Sequence, residues 1–199
     1  MKERPILFNA EMVRAILSGQ KTQTRRVVKP YEPRLGSIAV PSDVSYLPDF
    51  TCYRATCPYG DPGDQLWVRE TWAKPTTLDP GPVVYRADYP DCVPRWYENV
   101  PPADAITWKP SIHMFRRDSR IQLEITGVRV ERLQDISEED AHHEGVDNKL
   151  CAESVGRSPL KMGMATQCGY AYLWDKINGP GSWDTNPWVW VIEFERMKP

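Results

Sequence analysis

Long apolar runs are missing from this chain. No stretch approaches the roughly 18 consecutive apolar residues of a membrane helix, and the mean hydropathy is -0.55. The start, Met1-Lys2-Glu3-Arg4-Pro5-Ile6-Leu7-Phe8, is too charged and its apolar part too short for a signal peptide. Cysteine is scarce and odd in number, five in 199 residues, which argues against a secreted disulfide framework. Also absent are a Walker loop, a G-x-G-x-x-G, an H-E-x-x-H, internal repeats and low-complexity tracts. The expectation is a soluble cytoplasmic protein without membrane association, cofactor or resident metal, and nothing identifies protein partners.

What is present is a globular composition, 41% hydrophobic and 26% charged. A chain of this length forms one domain and needs no covalent staple. Net charge is -2, so the whole chain is not a polycation. Its first 30 residues differ, with Lys2, Arg4, Arg14, Lys21, Arg25, Arg26 and Lys29 against Glu3 and Glu11. Such a cluster is either a solvated helix end or a focused patch suited to one phosphate or a short single strand.

Proline is abundant, and fourteen of the 19 lie between Pro30 and Pro110. Each removes a backbone donor, so that stretch reads as ordered loops around short strands. The regular elements fall mostly outside it. Ile6–Phe8 is a short strand, followed by a helix with Asn9 as N-cap, Met12, Val13, Ile16 and Leu17 as its stripe, and Gly19 as its stop. Strands are expected at Gln65–Arg69, Val83–Arg86 and Trp188–Phe194, and a long one from Arg120 to Leu133 bulged at Gly127. Ser137 opens a short helix ending near Gly145, and another helix runs from Thr166 to Asn178. The fold class is α+β, a small, partly open mixed β-barrel with two or three flanking helices.

After the first helix the chain reads Gly19-Gln20-Lys21-Thr22-Gln23-Thr24-Arg25-Arg26, which suggests a loop. This G-x-K-T-x-T-x-R resembles the ASCH domain, a family with the PUA-like barrel. Three further segments are similar to that family: Pro62–Trp72 with its G-D-x-x-x-V-R-E run, Ile121–Gly145, and Asn186–Val191. The resemblance implies one ASCH domain over 1–199, of the longer phage or prophage type, with loop insertions about 31–62, 87–112 and 146–165. It implies as ligand a nucleoside, a nucleotide or single-stranded RNA. Some small members are amide hydrolases of N4-acetylcytidine. Carried over by position, their pattern gives Thr24 as nucleophile, Lys21 as base and Glu144 as acid. Other members are binders and at least one kind is a ribonuclease, so a binding module and RNA cleavage remain alternatives.

The chemistry is consistent with those roles. A threonine hydroxyl needs a neighbouring base, and Lys21 serves only as a neutral amine, its pKa depressed by burial and by Arg25 and Arg26. Arg25 and Arg26 are also candidate phosphate or oxyanion ligands. A carboxylate can protonate the leaving amine. Glu138, Glu139 and Asp140 compete with Glu144 for that place, and Glu70 is a separate candidate at a strand end. Trp67 and Trp72, flanking Glu70, are the tryptophans assigned to ligand contact, whereas Trp174 reads as core and Trp188 and Trp190 share a strand face. Cys52 and Cys57 lack the C-x₂-C of a zinc knuckle and read as free thiols. His142 and His143 project about 100° apart and suit no shared metal. His113, near Arg116 and Arg117, is a lesser candidate for the basic mouth.

Overall fold

The computed structural model describes residues 1–31, 44–49, 52–75, 81–154 and 165–197. Parts of two expected insertions, 32–43, 50–51 and 155–164, lie outside the described residues.

The protein is α+β. Strand β1 (Glu3–Leu7) leads into helix α1 (Ala10–Leu17). The Asn9 side chain accepts from the Met12 N–H at 2.8 Å, as its capping position requires. Val13 and Ile16 of α1 are buried, and Gly19 (φ +81°) turns the chain out of the helix. Next comes β2 (Gln23–Val27), where the sequence suggests a loop. It is a strand of polar residues whose pairing with β9 (Trp188–Arg196) is regular, Thr24 opposite Ile192 and Arg26 opposite Trp190. Apolar alternation is absent because the side chains on one face meet carboxylates instead of a core.

Five strands form the main sheet in the order β1-β5-β8-β9-β2, with β5 at Gln65–Arg69 and β8 at Gln122–Arg132. β1 and β5 are parallel and the other pairs antiparallel. The long strand is bulged as expected, its register shifting between Ile125 and Gly127. Among the described residues no backbone pairing joins β1 to β2, so no barrel is closed. Between these two edges Arg26 Nη2 donates to the Leu7 carbonyl at 2.6 Å.

Alternation along β9 sends its residues into two cores. Trp190, Ile192 and Phe194 join Ile6, Phe8, Val13 and Leu66, covered by α1 and by a hairpin of β3 (Val44–Tyr46) and β4 (Cys52–Arg54). Val189 and Val191 join Leu133, Ala141, Tyr170 and Trp174 beneath α2 (Glu138–His143) and α4 (Ala165–Asn178). Ser137 caps α2, accepting from the Asp140 N–H at 3.0 Å. Helix α3 (Asn148–Ser154) lies where the sequence suggests an insertion loop. A third cluster, around β6 (Trp72–Ala73), β7 (Val84–Tyr85) and the Pro-rich 87–112 region, stands apart. Among the described residues no helix is long and apolar enough to cross a membrane.

Candidate functional site

Among the described residues Lys21 is the largest fully buried side chain, an unusual place for an ammonium. The chain puts it there by leaving α1 through Gly19 and entering β2 along α2, Lys21 N–H bonding the Ala15 carbonyl at 3.0 Å and Thr22 N–H the His143 carbonyl at 2.9 Å. Lys21 Nζ then donates to Glu144 Oε2 at 2.6 Å and to the Glu144 carbonyl at 2.8 Å. The other oxygen, Glu144 Oε1, accepts from Arg25 Nη1 at 3.1 Å. Thus the carboxylate expected from position is the one that meets the lysine.

The network extends behind this pair. Arg25 Nη2 bonds Glu131 Oε1 at 2.5 Å and Asp140 Oδ2 at 2.9 Å. Arg129 bonds the same Asp140 at 3.0 Å and reaches both Glu131 and Glu193. Three cations, Lys21, Arg25 and Arg129, face four carboxylates, Glu131, Asp140, Glu144 and Glu193. Burial outweighs the Glu144 attraction and lowers the Lys21 pKa below 10.5, with Arg26 and Arg25 adding to the fall. Tyr170, whose ring lies 5.8 Å from the Arg25 guanidinium, has its hydroxyl pushed well above the ordinary value by burial and by Glu144.

Asp140 behaves in the opposite sense. Burial works against its charge, but Arg25 and Arg129 among others outweigh it and hold its carboxyl below 3.8. Its contribution to stability is therefore complete above pH 3.8 and is lost as pH falls through the depressed folded value. Asp140→Asn should melt below the wild type at neutral pH, and the gap should narrow on acidification through that window. Melting curves across pH read it directly.

Thr24, Arg25, Arg26, Glu144, Tyr170 and Trp174 line a cleft of about 60 Å³ along the open edge of β2, closed by α4 and by Met12 of α1. Lys21 is not on its wall; it stands behind Glu144. The Thr24 and Tyr170 hydroxyls make no hydrogen bond among the described residues. Arg26 Nε and Trp174 Nε1 are likewise buried without a partner. Beyond Glu144 the cleft adjoins a groove of about 350 Å³ between α1, α3 and α4, the two sharing Met12, Glu144 and Leu173. Asp147, Lys149, Leu150 and Glu153, from the insertion at 146–165, form part of that groove.

Gly145 fixes the relation of α2 to the lysine. It has φ +90°, and a Cβ there would stand 2.9 Å from Ala15 Cβ and 3.4 Å from Lys21 Cβ. Gly145→Ala should destabilise the fold by about 2 kcal/mol or more through backbone strain and this overlap, measured by urea denaturation.

Other assigned residues lie elsewhere. Arg25 is no phosphate ligand here, because its side chain is 0% exposed and held by three carboxylates. Arg26 is half-buried with its guanidinium 5.4 Å from the Phe8 ring. Glu70 is buried against Arg120, at 2.9 and 3.1 Å, in a separate network with Asp88. Burial raises its pKa against the pull of Arg120. Trp67 sits on β5 beside Arg69, and Trp72 is buried between Lys74 and Lys109, so neither reaches the cleft. Trp174 is core as expected but also a wall of the cleft, which its spacing from Tyr170 on one helix face could have signalled. Cys52 is half-buried and Cys57 buried. Among the described residues no three His, Cys, Asp or Glu side chains are grouped to hold a metal ion.

Comparison of the chain with protein-family models, with curated proteins and with solved structures returns no match.

Proposed function

We propose that the protein is an ASCH-type hydrolase of N4-acylated cytosine, working at the β2-edge cleft with Thr24 as nucleophile and the Lys21–Glu144 pair as its proton carrier. The carrying observation is the buried pair itself, whose Glu144 lines a cleft that also holds an unengaged threonine hydroxyl. Perturbed titrating groups in a cleft are what acid–base catalysis needs. The near approach of β1 and β2 through Arg26 fits a PUA-like barrel held open at that seam.

Size supports the reading as well. A space of about 60 Å³ takes the equivalent of roughly four waters, enough for an acetamide group. The base and sugar then lie in the adjoining groove. Thr24 Oγ attacks the acetyl carbon and its proton passes to the Lys21–Glu144 pair through Glu144, the member that lines the cleft. The C–N bond breaks and the pair returns the proton to the leaving amine, giving cytidine and acetyl-Thr24. Water then hydrolyses the ester to acetate and free Thr24.

One observation favours recognition without turnover: Lys21 has no surface on the cleft, its Nζ held by Glu144. In that reading the groove and cleft bind a modified base or an RNA end. Incubation with N4-acetylcytidine separates the two. The hydrolase should yield cytidine, and Lys21→Ala should not. A folded wild type that yields none contradicts hydrolysis, and RNA binding measured against salt then tests the alternative.

A further inference from the structure

Of the polar groups left without partners in the cleft, two can only donate. An indole N–H and a guanidinium Nε–H have no lone pair to offer, whereas the Thr24 and Tyr170 hydroxyls can act either way. Trp174 is 5% exposed, and its Nε1 is buried with no partner, as is Arg26 Nε. Buried donors are nearly always satisfied, so two on residues that line one small cleft point to a ligand that brings an acceptor. Glu144 on the same cleft offers them no free acceptor, since both its oxygens accept from Lys21 and Arg25.

Resting on the hydrolase reading, we propose that Trp174 Nε1–H, assisted by Arg26 Nε–H, binds the acyl carbonyl oxygen and stabilises the negative charge that develops on it. Trp174 is then a catalytic residue. The donors are fixed, Trp174 by packing against Tyr170 at 6.2 Å between ring centroids and Arg26 by its bond to Leu7. Preorganised donors in such a site act on the transition state more than on the ground state. Attack by Thr24 Oγ turns the carbonyl oxygen into an oxyanion, and collapse of the intermediate restores the carbonyl, so the donors exchange no proton with it.

The test compares wild type, Trp174→Phe and Arg26→Lys. It measures kcat and KM on N4-acetylcytidine, and the calorimetric affinity for cytidine, which has no acyl oxygen. Loss of one such donor should lower kcat by about 100-fold, leaving KM and cytidine affinity within about twofold. An active wild type whose variants keep their kcat overturns the proposal alone. So does a fall in cytidine affinity that matches the fall in kcat, because that is damage to packing. A wild type with no turnover removes the hydrolase reading and this proposal with it. Melting curves of both variants establish that each is folded.

Discussion

Thr24→Val should remove turnover, by at least about a thousandfold in kcat, while leaving the fold intact. The substitution takes away the hydroxyl and keeps nearly all the volume. Thr24 is 1% exposed and paired with Ile192 in a regular ladder, and its hydroxyl holds no other part of the described structure. Valine suits a strand at least as well as threonine, so melting should change little. The pH profile of the wild type should agree with the same chemistry. A proton acceptor in the Lys21–Glu144 pair is needed, so kcat/KM should rise with pH along a limb lying below 10.5, since burial lowers the Lys21 pKa from that value. Undiminished turnover by Thr24→Val would dismiss the nucleophile.

Glu144→Ala should unfold the site more than any exposed change could. It leaves the Lys21 ammonium buried with only a carbonyl acceptor, and deprives Arg25 Nη1 of its partner. Removing one member of a buried ion pair costs about 3–5 kcal/mol. In a chain of this size that corresponds to a melting temperature lower by roughly 6–20 °C. The double variant Lys21→Met with Glu144→Leu should recover much of the loss, because it removes both charges and fills similar volume. If Glu144→Ala melted with the wild type, the pair would not be the buried anchor described above.

The elements legible from sequence were those with a local signature. Asn9, Ser137 and Gly19 marked helix ends because capping is a matter of adjacent atoms, and Gly127 marked the bulge. The family resemblance singled out Lys21, Thr24 and Glu144; in the structure Lys21 bonds Glu144, and Glu144 and Thr24 line one cleft. β2 was hidden because Gln-Thr-Arg-Arg has no apolar face, its Arg25 being met by Glu131, Asp140 and Glu144 more than 100 residues away. The same distance hid the state of Arg25, which looks like an anion ligand until its three carboxylates are seen. Helix α3 lacks an apolar stripe, with only Leu150 and Cys151 packing on the core. Trp67, Trp72 and Glu70 are close in sequence to each other and to strand ends, but the sheet order sets β5 three places from β2.

The most direct measurement is a crystal structure of Thr24→Val grown with N4-acetylcytidine. The account predicts the acetyl group inside the β2-edge cleft, its carbonyl oxygen facing Trp174 and Arg26 and its base in the groove beyond Glu144. A ligand bound at another surface, or a cleft that stays empty at saturating ligand, would contradict it.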